Sequence, residues 1–457
     1  MSSIEGGSVV ETKGALTAPA DALFRAGQFE QAEALYTKLL DEYPEDRHAI
    51  VRLASIALLG DRLCDVENWS HRAFELDRRT VVSRLGLSRL GRVLPGPKDA
   101  RPEWLLGQAM YLRGDYPRAA PLFRAVGSRA YAEKLESFGD VRPYGITWPA
   151  EPLRLPFVVT DPLPVVEVTV NGHGPVNFFI DTGGGELIVD SSFAREIDVA
   201  MFGGESSFFG GGKRASIRHG RVDSIALGDV AVTGVPATVM DVRRFSQPVF
   251  GGRRVDGVIG TLFLYQFLAT LDYPEGELVL GAKTAENVKR LERGLDGRQA
   301  ATIPFWMADH CMFAWGTLNK HHPMLLFVDT GLAGMGFTCP KATLNEAGLR
   351  LQRDLAGEGI GGGGGKMVSI PFMVDELALG DASERDIHAT FGPFPPQLED
   401  AYGFRVGGLI SHEFFRPYAL TVDFVSMRYL LSRSDRRESE VEDFDGATKL
   451  SGASEAN

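Results

Sequence analysis

The chain has 457 residues, 44% of them apolar, 24% charged and 10% aromatic, which supplies more than one core and excludes a small module, a fibrous protein or a chain disordered throughout. Its 48 Lys and Arg against 60 Asp and Glu leave a net charge of −12. With no basic cluster to offset it, that charge excludes nucleic acid and anionic membrane surfaces as partners. The three cysteines, Cys64, Cys311 and Cys339, lack the spacing of a zinc chelate or a redox pair and are expected to be buried thiols of a reducing compartment. No run approaches the roughly 20 apolar residues that span a bilayer, and Met1 to Ala20 lacks a basic start followed by an apolar stretch, so a cytoplasmic protein is expected.

Residues 18–139 show helical periodicity, with apolar positions three and four apart and Gly or Pro between segments. A repeat is visible there. Ala22 to Ala32 carries Gly27, then Phe29, then Ala32, and closes at Pro44; Leu112 to Ala119 carries Gly114, Tyr116 and Ala119, with Phe123 following. A weaker copy runs from Leu53 through Gly60 to Ala73. In each unit the glycine permits a tight turn between antiparallel helices, the aromatic packs into the pair, and the alanine allows close approach. The units resemble the tetratricopeptide repeat, whose period of about 34 residues fits the first two copies. A plain bundle of helical hairpins is the alternative. The resemblance implies a concave surface that recruits a protein partner.

After a connector, Arg142 to Pro156, short β-type runs alternate with glycine clusters as far as Leu431. This region is duplicated, into residues 155–285 and 300–431. Asn171 to Gly183 and Asn319 to Gly331 register without a gap, each ending an apolar strand in Asp-Thr-Gly, with 148 residues between Asp181 and Asp329. Ile225-Ala226-Leu227-Gly228 answers to Leu377-Ala378-Leu379-Gly380. Asp256-Gly257-Val258-Ile259-Gly260, leading to Ala269-Thr270-Leu271-Asp272, answers to Gly407-Gly408-Leu409-Ile410-Ser411, leading to Leu420-Thr421-Val422-Asp423. Residues 432–457 are polar and charged without apolar periodicity and are expected to be a disordered tail.

Two Asp-Thr-Gly tripeptides in register, each followed by an apolar-apolar-Gly element or its near equivalent, resemble the aspartic proteases, and more closely the bacterial retropepsin-like family than the pepsins. The resemblance covers about Leu155 to Leu431. It implies a multidomain chain: an all-α, repeat-like N-terminal region, then a mainly β, double-lobed aspartic-protease fold in which Asp181 and Asp329 meet about a twofold axis as the catalytic pair. Two carboxylates a few Å apart cannot both ionise, so one acts as base toward a shared water while the other donates a proton. No cofactor or metal is called for. By the same resemblance Thr182 and Thr330 hydrogen-bond across to the opposite loop, and Gly183 and Gly331 let backbone amides approach the carboxylates.

The glycine runs Gly210, Gly211, Gly212 and Gly361, Gly362, Gly363 resemble the tips of flaps that close over substrate; surface loops are the alternative. Neither is a phosphate loop, since Arg214 and Met367 stand where Ser or Thr is required. Pepsins place a hydroxyl residue after Asp-Thr-Gly, whereas Gly184 and Leu332 stand here, and retropepsins likewise lack the hydroxyl; loss of that donor is expected to raise the pair's pKa values toward neutral working pH. Ser411 replaces the equivalent of Gly260 and is expected to fit. Asp272 and Asp423 read as structural, and His173, His321 and His322 as exposed turn residues. His412-Glu413 lacks a second metal-binding His, and no Gly-x-Ser-x-Gly elbow is present. Two functions remain: an aspartic endopeptidase with one dyad per chain, its helical repeats recruiting substrate or partner, or an inactive adaptor or peptide-binding protein built on the same lobes. On the first, a chain beginning near Arg142 is expected to keep hydrolysing short peptides and to lose efficiency toward a full-length substrate; helices that gate the cleft would instead raise activity on short peptides when removed. Pairing of lobes between chains is less favoured, because a tethered lobe is held at high effective concentration.

Overall fold

The computed structural model describes residues 16–85, 101–149, 152–295, 299–321 and 323–433. It has a helical N-terminal region, residues 16–136, and a β-rich C-terminal region with barrel-like sheets, an arrangement consistent with an aspartic-protease fold.

The helices are Phe29–Glu42, Arg47–Leu59, Leu63–Leu85, Pro102–Leu112, Tyr116–Ala125 and Arg129–Glu136, preceded by residues 16–25. Local chemistry starts them. Asp46 and Asp115 accept hydrogen bonds from the amides of Ala49 (2.8 Å) and Arg118 (3.3 Å), and Pro102 opens its helix where no amide donor is needed. The chain turns back at Gly27 (φ +77°) and Gly114 (φ +74°), in the left-handed region that glycine tolerates best. In the weaker copy Asp61 (φ 55°) takes that conformation instead of Gly60. Phe29, Ala32, Tyr116 and Ala119 are all buried.

The helical region is not a separate body. Its core is continuous with Leu262, Phe313, Leu325, Phe327, Phe404 and Leu409 of the β-rich region. Phe29 packs edge-on to Phe404 (5.1 Å between centroids) and Trp306 (5.4 Å), and Phe24 also meets it edge-on (5.5 Å). Part of the apolar face of the repeat pattern, at Phe24 and Phe29, is thus packed against the β-rich region.

One eight-stranded sheet runs Gly145–Thr147, Val230–Met240, Leu187–Asp190, Gly257–Ile259, His173–Ile180, Val165–Val170, Lys213–Leu227, Ala200–Phe209. Within it His173–Ile180 pairs in parallel with Gly257–Ile259, and in the second lobe Met324–Val328 pairs in the same way with Gly408–Ile410. The lobes join where Phe267–Asp272 pairs antiparallel with Tyr418–Asp423. There Thr270 lies opposite its own sequence equivalent, Thr421, and their hydroxyls are 2.7 Å apart. The pseudo-twofold axis passes between these two threonines.

Three sequence expectations are corrected. The connector contributes two strands, Gly145–Thr147 to the first sheet and Leu153–Pro156 to the interlobe sheet, because its apolar residues find open edges there. Ser432 and Arg433, expected in the tail, complete strand Arg428–Arg433, and residues 434–457 lie outside the described set. Cys64 is exposed, whereas Cys311 and Cys339 are buried; the packed face of its helix is Val66, Ser70 and Ala73, and a residue two positions before Val66 points the other way. Among the described residues no helix is long and apolar enough to cross a membrane.

Candidate active site

Each Asp-Thr-Gly follows a strand that the lobe's second parallel strand holds in place. The amide of Asp181 donates to the carbonyl of Ile259 (3.1 Å) and that of Asp329 to Ile410 (3.0 Å), so both aspartates leave their sheets at the same height. Each loop then turns on its own carboxylate: the Gly183 amide donates to Asp181 Oδ1 (2.7 Å) and the Gly331 amide to Asp329 Oδ1 (2.8 Å).

The loops are locked to one another. The amide of Thr182 donates to Thr330 Oγ1 (3.1 Å), the amide of Thr330 donates to Thr182 Oγ1 (3.0 Å), and the Thr182 hydroxyl donates to the Val328 carbonyl (3.1 Å). Both threonines are buried, so these bonds are shielded from competing water.

The Asp181 and Asp329 carboxyl groups lie within hydrogen-bonding reach of one another, and each keeps part of its surface open. Burial pushes both above the usual carboxylate range, and for Asp329 the charge on Asp181 adds a further push. The pair therefore holds one proton between its members over a range above ordinary carboxylate pH, the state that general acid–base chemistry at a shared water requires.

A side chain at either loop glycine would fall inside van der Waals contact of the opposite carboxyl group, Gly183 against Asp329 and Gly331 against Asp181. Gly183→Ala or Gly331→Ala is thus expected to force the carboxyls apart. We expect a destabilisation of about 1–3 kcal/mol from overpacking. Thermal melts check this; an alanine variant as stable as the parent would contradict the close fit.

The two lobes differ at the apolar-apolar-Gly element. A Cβ at Gly260 would press on the carbonyls of Gly184 (2.7 Å) and Gly185 (2.6 Å). Ser411 has room for its side chain, and its hydroxyl accepts from the Leu332 amide (3.0 Å). In the first lobe Thr261 does related work, donating to the Thr182 carbonyl (2.7 Å).

The glycine runs lie at the tips of two hairpins. Gly210–Gly212 joins Ala200–Phe209 to Lys213–Leu227, and residues 361–365 join Gly357–Ile360 to Lys366–Leu379. The tips meet: a Cβ at Gly361 would lie 2.7 Å from the Gly210 carbonyl, and one at Gly363 would lie 2.9 Å from the Phe209 ring.

Asp272 and Asp423 end the interlobe strands and cap turns, accepting from the amides of Glu275 (3.1 Å) and of Val425 (2.9 Å) and Ser426 (3.1 Å). His173 and His321 are exposed, and His322 lies outside the described residues. Among the described residues no group of three or more His, Cys, Asp or Glu is placed to hold a metal ion.

Two neighbours of the loop escaped the sequence reading. His310, in the turn between Ala300–Ala308 and Cys311–Leu318, packs its ring about the position a Gly185 Cβ would occupy (3.6 Å). Burial pushes its imidazole below the usual range, partly offset by a hydrogen bond to the Gly183 backbone. Glu186, at the far end of the Asp181 loop, is buried and ion-paired to Lys134 of the helical region (2.6 Å). Its signal was an asymmetry between the copies: in the register of the aspartates its counterpart is Gly334.

A family model for aspartyl proteases matches residues 166–263, which include Asp181 and the Asp256–Gly260 element. The second lobe lies outside the matched span. No curated protein sequence matches the chain. Among solved structures, basic 7S globulin from soybean is similar with a TM-score of 0.34 and 11% identity, over 64% of this chain and 96% of its own.

Proposed function

We propose that the chain is an aspartic endopeptidase in which Asp181 and Asp329 activate one water for attack on a peptide carbonyl. The observation that carries this reading is the pairing of two buried-edge carboxyls from two Asp-Thr-Gly loops within hydrogen-bonding reach. The ionised member of the pair takes the water's proton as the oxygen attacks. Its protonated partner donates to the carbonyl oxygen, and collapse of the tetrahedral species returns a proton to the leaving nitrogen. No covalent intermediate forms.

The finer reading follows the bacterial retropepsin-like enzymes: the hairpin tips at Gly210–Gly212 and Gly361–Gly363 act as flaps over an extended peptide, and the enzyme works in the cytoplasm without a cofactor. The helical region, tetratricopeptide-like in its Gly-x-aromatic turns, takes part in choosing the protein substrate through surface left free of the lobes.

The test is digestion of an unstructured polypeptide in ¹⁸O water. One heavy oxygen should enter each new C-terminal carboxyl, and new termini should map to internal peptide bonds. Rate against pH should be bell-shaped and centred above the ordinary carboxylate range: the rate falls on the acid side as the pair takes a second proton and on the alkaline side as it loses its only one. No new termini at any pH from 3 to 9 would reject the peptidase reading.

A further inference from the structure

The loop that carries Asp181 is held at both ends by the same residue. Asp181 hangs from the Ile259 carbonyl at its start, and Leu187, just past its end, lies opposite Ile259 in the sheet. Between them the carbonyls of Gly184 and Gly185 accept from the amides of Thr261 (2.9 Å) and Leu262 (2.8 Å). Glu186 is the last loop residue, and its side chain turns away from the sheet into the helical region. There Lys134 Nζ, wholly buried, donates to both carboxylate oxygens (2.6 and 2.7 Å), and the Tyr111 and Tyr131 hydroxyls donate to Oε1 (2.7 and 3.3 Å). Burial pushes the Glu186 carboxyl up, but the Lys134 ammonium and these donors outweigh it and hold it below its usual value. His219 and Glu205 complete the charged surroundings, and Lys134 also lies over the Tyr131 ring (4.1 Å).

In the second lobe Phe337 lies opposite Ile410 as Leu187 lies opposite Ile259, so the equivalent point of the Asp329 loop is Gly336, which has no side chain to tether. Among the described residues the Asp181 loop is thus fastened to the helices by a buried charge pair that has no counterpart at this point of the Asp329 loop. A buried pair is weak evidence of net stability, yet removal of one member leaves an uncompensated charge that must move or take up a proton. Either response acts on a residue five positions from Asp181.

We propose that Lys134 and Tyr111 are positioning residues for the reacting pair: through Glu186 they set the Asp181 loop at the height at which its carboxyl meets that of Asp329. The helical region is then part of the catalytic apparatus and acts through this one side chain. The inference rests on the peptidase reading for its effect on turnover, but the mechanical link is measurable without it.

The experiment compares the full chain with Lys134→Met and with the neutral pair Lys134→Met, Glu186→Gln. Hydrogen exchange is read separately in residues 181–186 and 329–334, and kcat and KM are read on one unstructured polypeptide. In Lys134→Met, exchange should rise in 181–186 and stay unchanged in 329–334, while kcat falls about 10- to 100-fold with little change in KM, as for a reacting group displaced by a fraction of an ångström to one ångström. The neutral pair keeps both hydroxyl donors and leaves no lone charge, and it should restore kcat to within about threefold of the parent chain. A merely structural contact would lower the melting temperature without that split or that rescue. Should Lys134→Met fail to fold, Tyr111→Phe, which deletes one donor to Glu186, is read in the same way with smaller effects.

Unchanged exchange in 181–186 in a folded variant would overturn the link. Raised exchange with unchanged kcat would overturn its role in positioning. A parent chain that cleaves nothing would overturn the peptidase reading and with it any catalytic role for the link, while the exchange data would still decide whether the helices hold the loop.

Discussion

Asp181→Asn and Asp329→Asn are each expected to cut peptide turnover by on the order of 10³-fold or more, because one ionisable member cannot act as base and acid in turn. The double variant should be no slower than either single one, since the pair works as a unit. The same substitutions are expected to stabilise the fold at neutral pH. Both carboxyls have pKa values raised by burial in the native state, Asp329 the more because of the charge on Asp181. A raised native pKa means that stability is fully present below the unfolded-chain value and is lost as pH rises through the native one. At pH 7 the native chain therefore carries the cost of an ionised, crowded pair, and at pH 3 it does not. Asparagine removes that cost. Melting temperatures of Asp329→Asn should exceed those of the parent at pH 7 and converge with them near pH 3, each kcal/mol being worth about 2–4 °C in domains of this size. A variant that melts lower than the parent at pH 7 would reverse the sign and place a stabilising charge where the geometry places a costly one. Residual turnover above about one part in a hundred would reject the dyad mechanism itself.

The meeting of the two Asp-Thr-Gly loops was legible because duplication writes geometry into the sequence. Gapless register between Asn171–Gly183 and Asn319–Gly331 leaves two equivalent lobes, and a pseudo-twofold axis then brings equivalent residues together. Thr270 facing Thr421 is that axis made visible, as are the paired Thr182 and Thr330. What breaks the symmetry was not legible. Glu186 stands where the second copy has a glycine, Gly334 by count from the aspartate and Gly336 by sheet register, and no local pattern says that a carboxylate beside the loop will be buried against a lysine 52 positions earlier. His310 and Cys64 escaped for the same reason: whether a side chain meets solvent or a neighbouring element depends on docking between segments, which periodicity within one segment does not encode. The connector strand Gly145–Thr147 is three residues long, too short for its alternation to stand out from a loop.

Removal of residues 1–141 tests how far the helices belong to the enzyme. The repeat pattern alone led to the expectation that such a truncated chain would still hydrolyse short peptides and lose only efficiency toward whole proteins. The packing leads to a different expected result. Truncation exposes Phe313, Leu325, Phe327, Phe404 and Leu409, which share a core with Phe24 and Phe29, and each large apolar side chain returned to water costs about 1.5–3 kcal/mol. It also strips Lys134, Tyr111 and Tyr131 from Glu186, and deletes Asp61, which accepts from the Tyr265 hydroxyl (3.0 and 2.9 Å) in the first lobe. Set against the 5–15 kcal/mol that typically separates a folded domain from its unfolded chain, these losses are large enough to abolish cooperative folding. The truncated chain is expected to lose near-ultraviolet circular dichroism, to bind a hydrophobic dye, and to cleave neither a short peptide nor a whole protein. Residues 1–141 supplied as a separate chain should restore part of the short-peptide activity if the loss comes from the missing face. A truncated chain that melts cooperatively and turns over a short peptide at the parent's rate would return the helices to the role of a recruiting appendage and leave the Glu186 tether without consequence for catalysis.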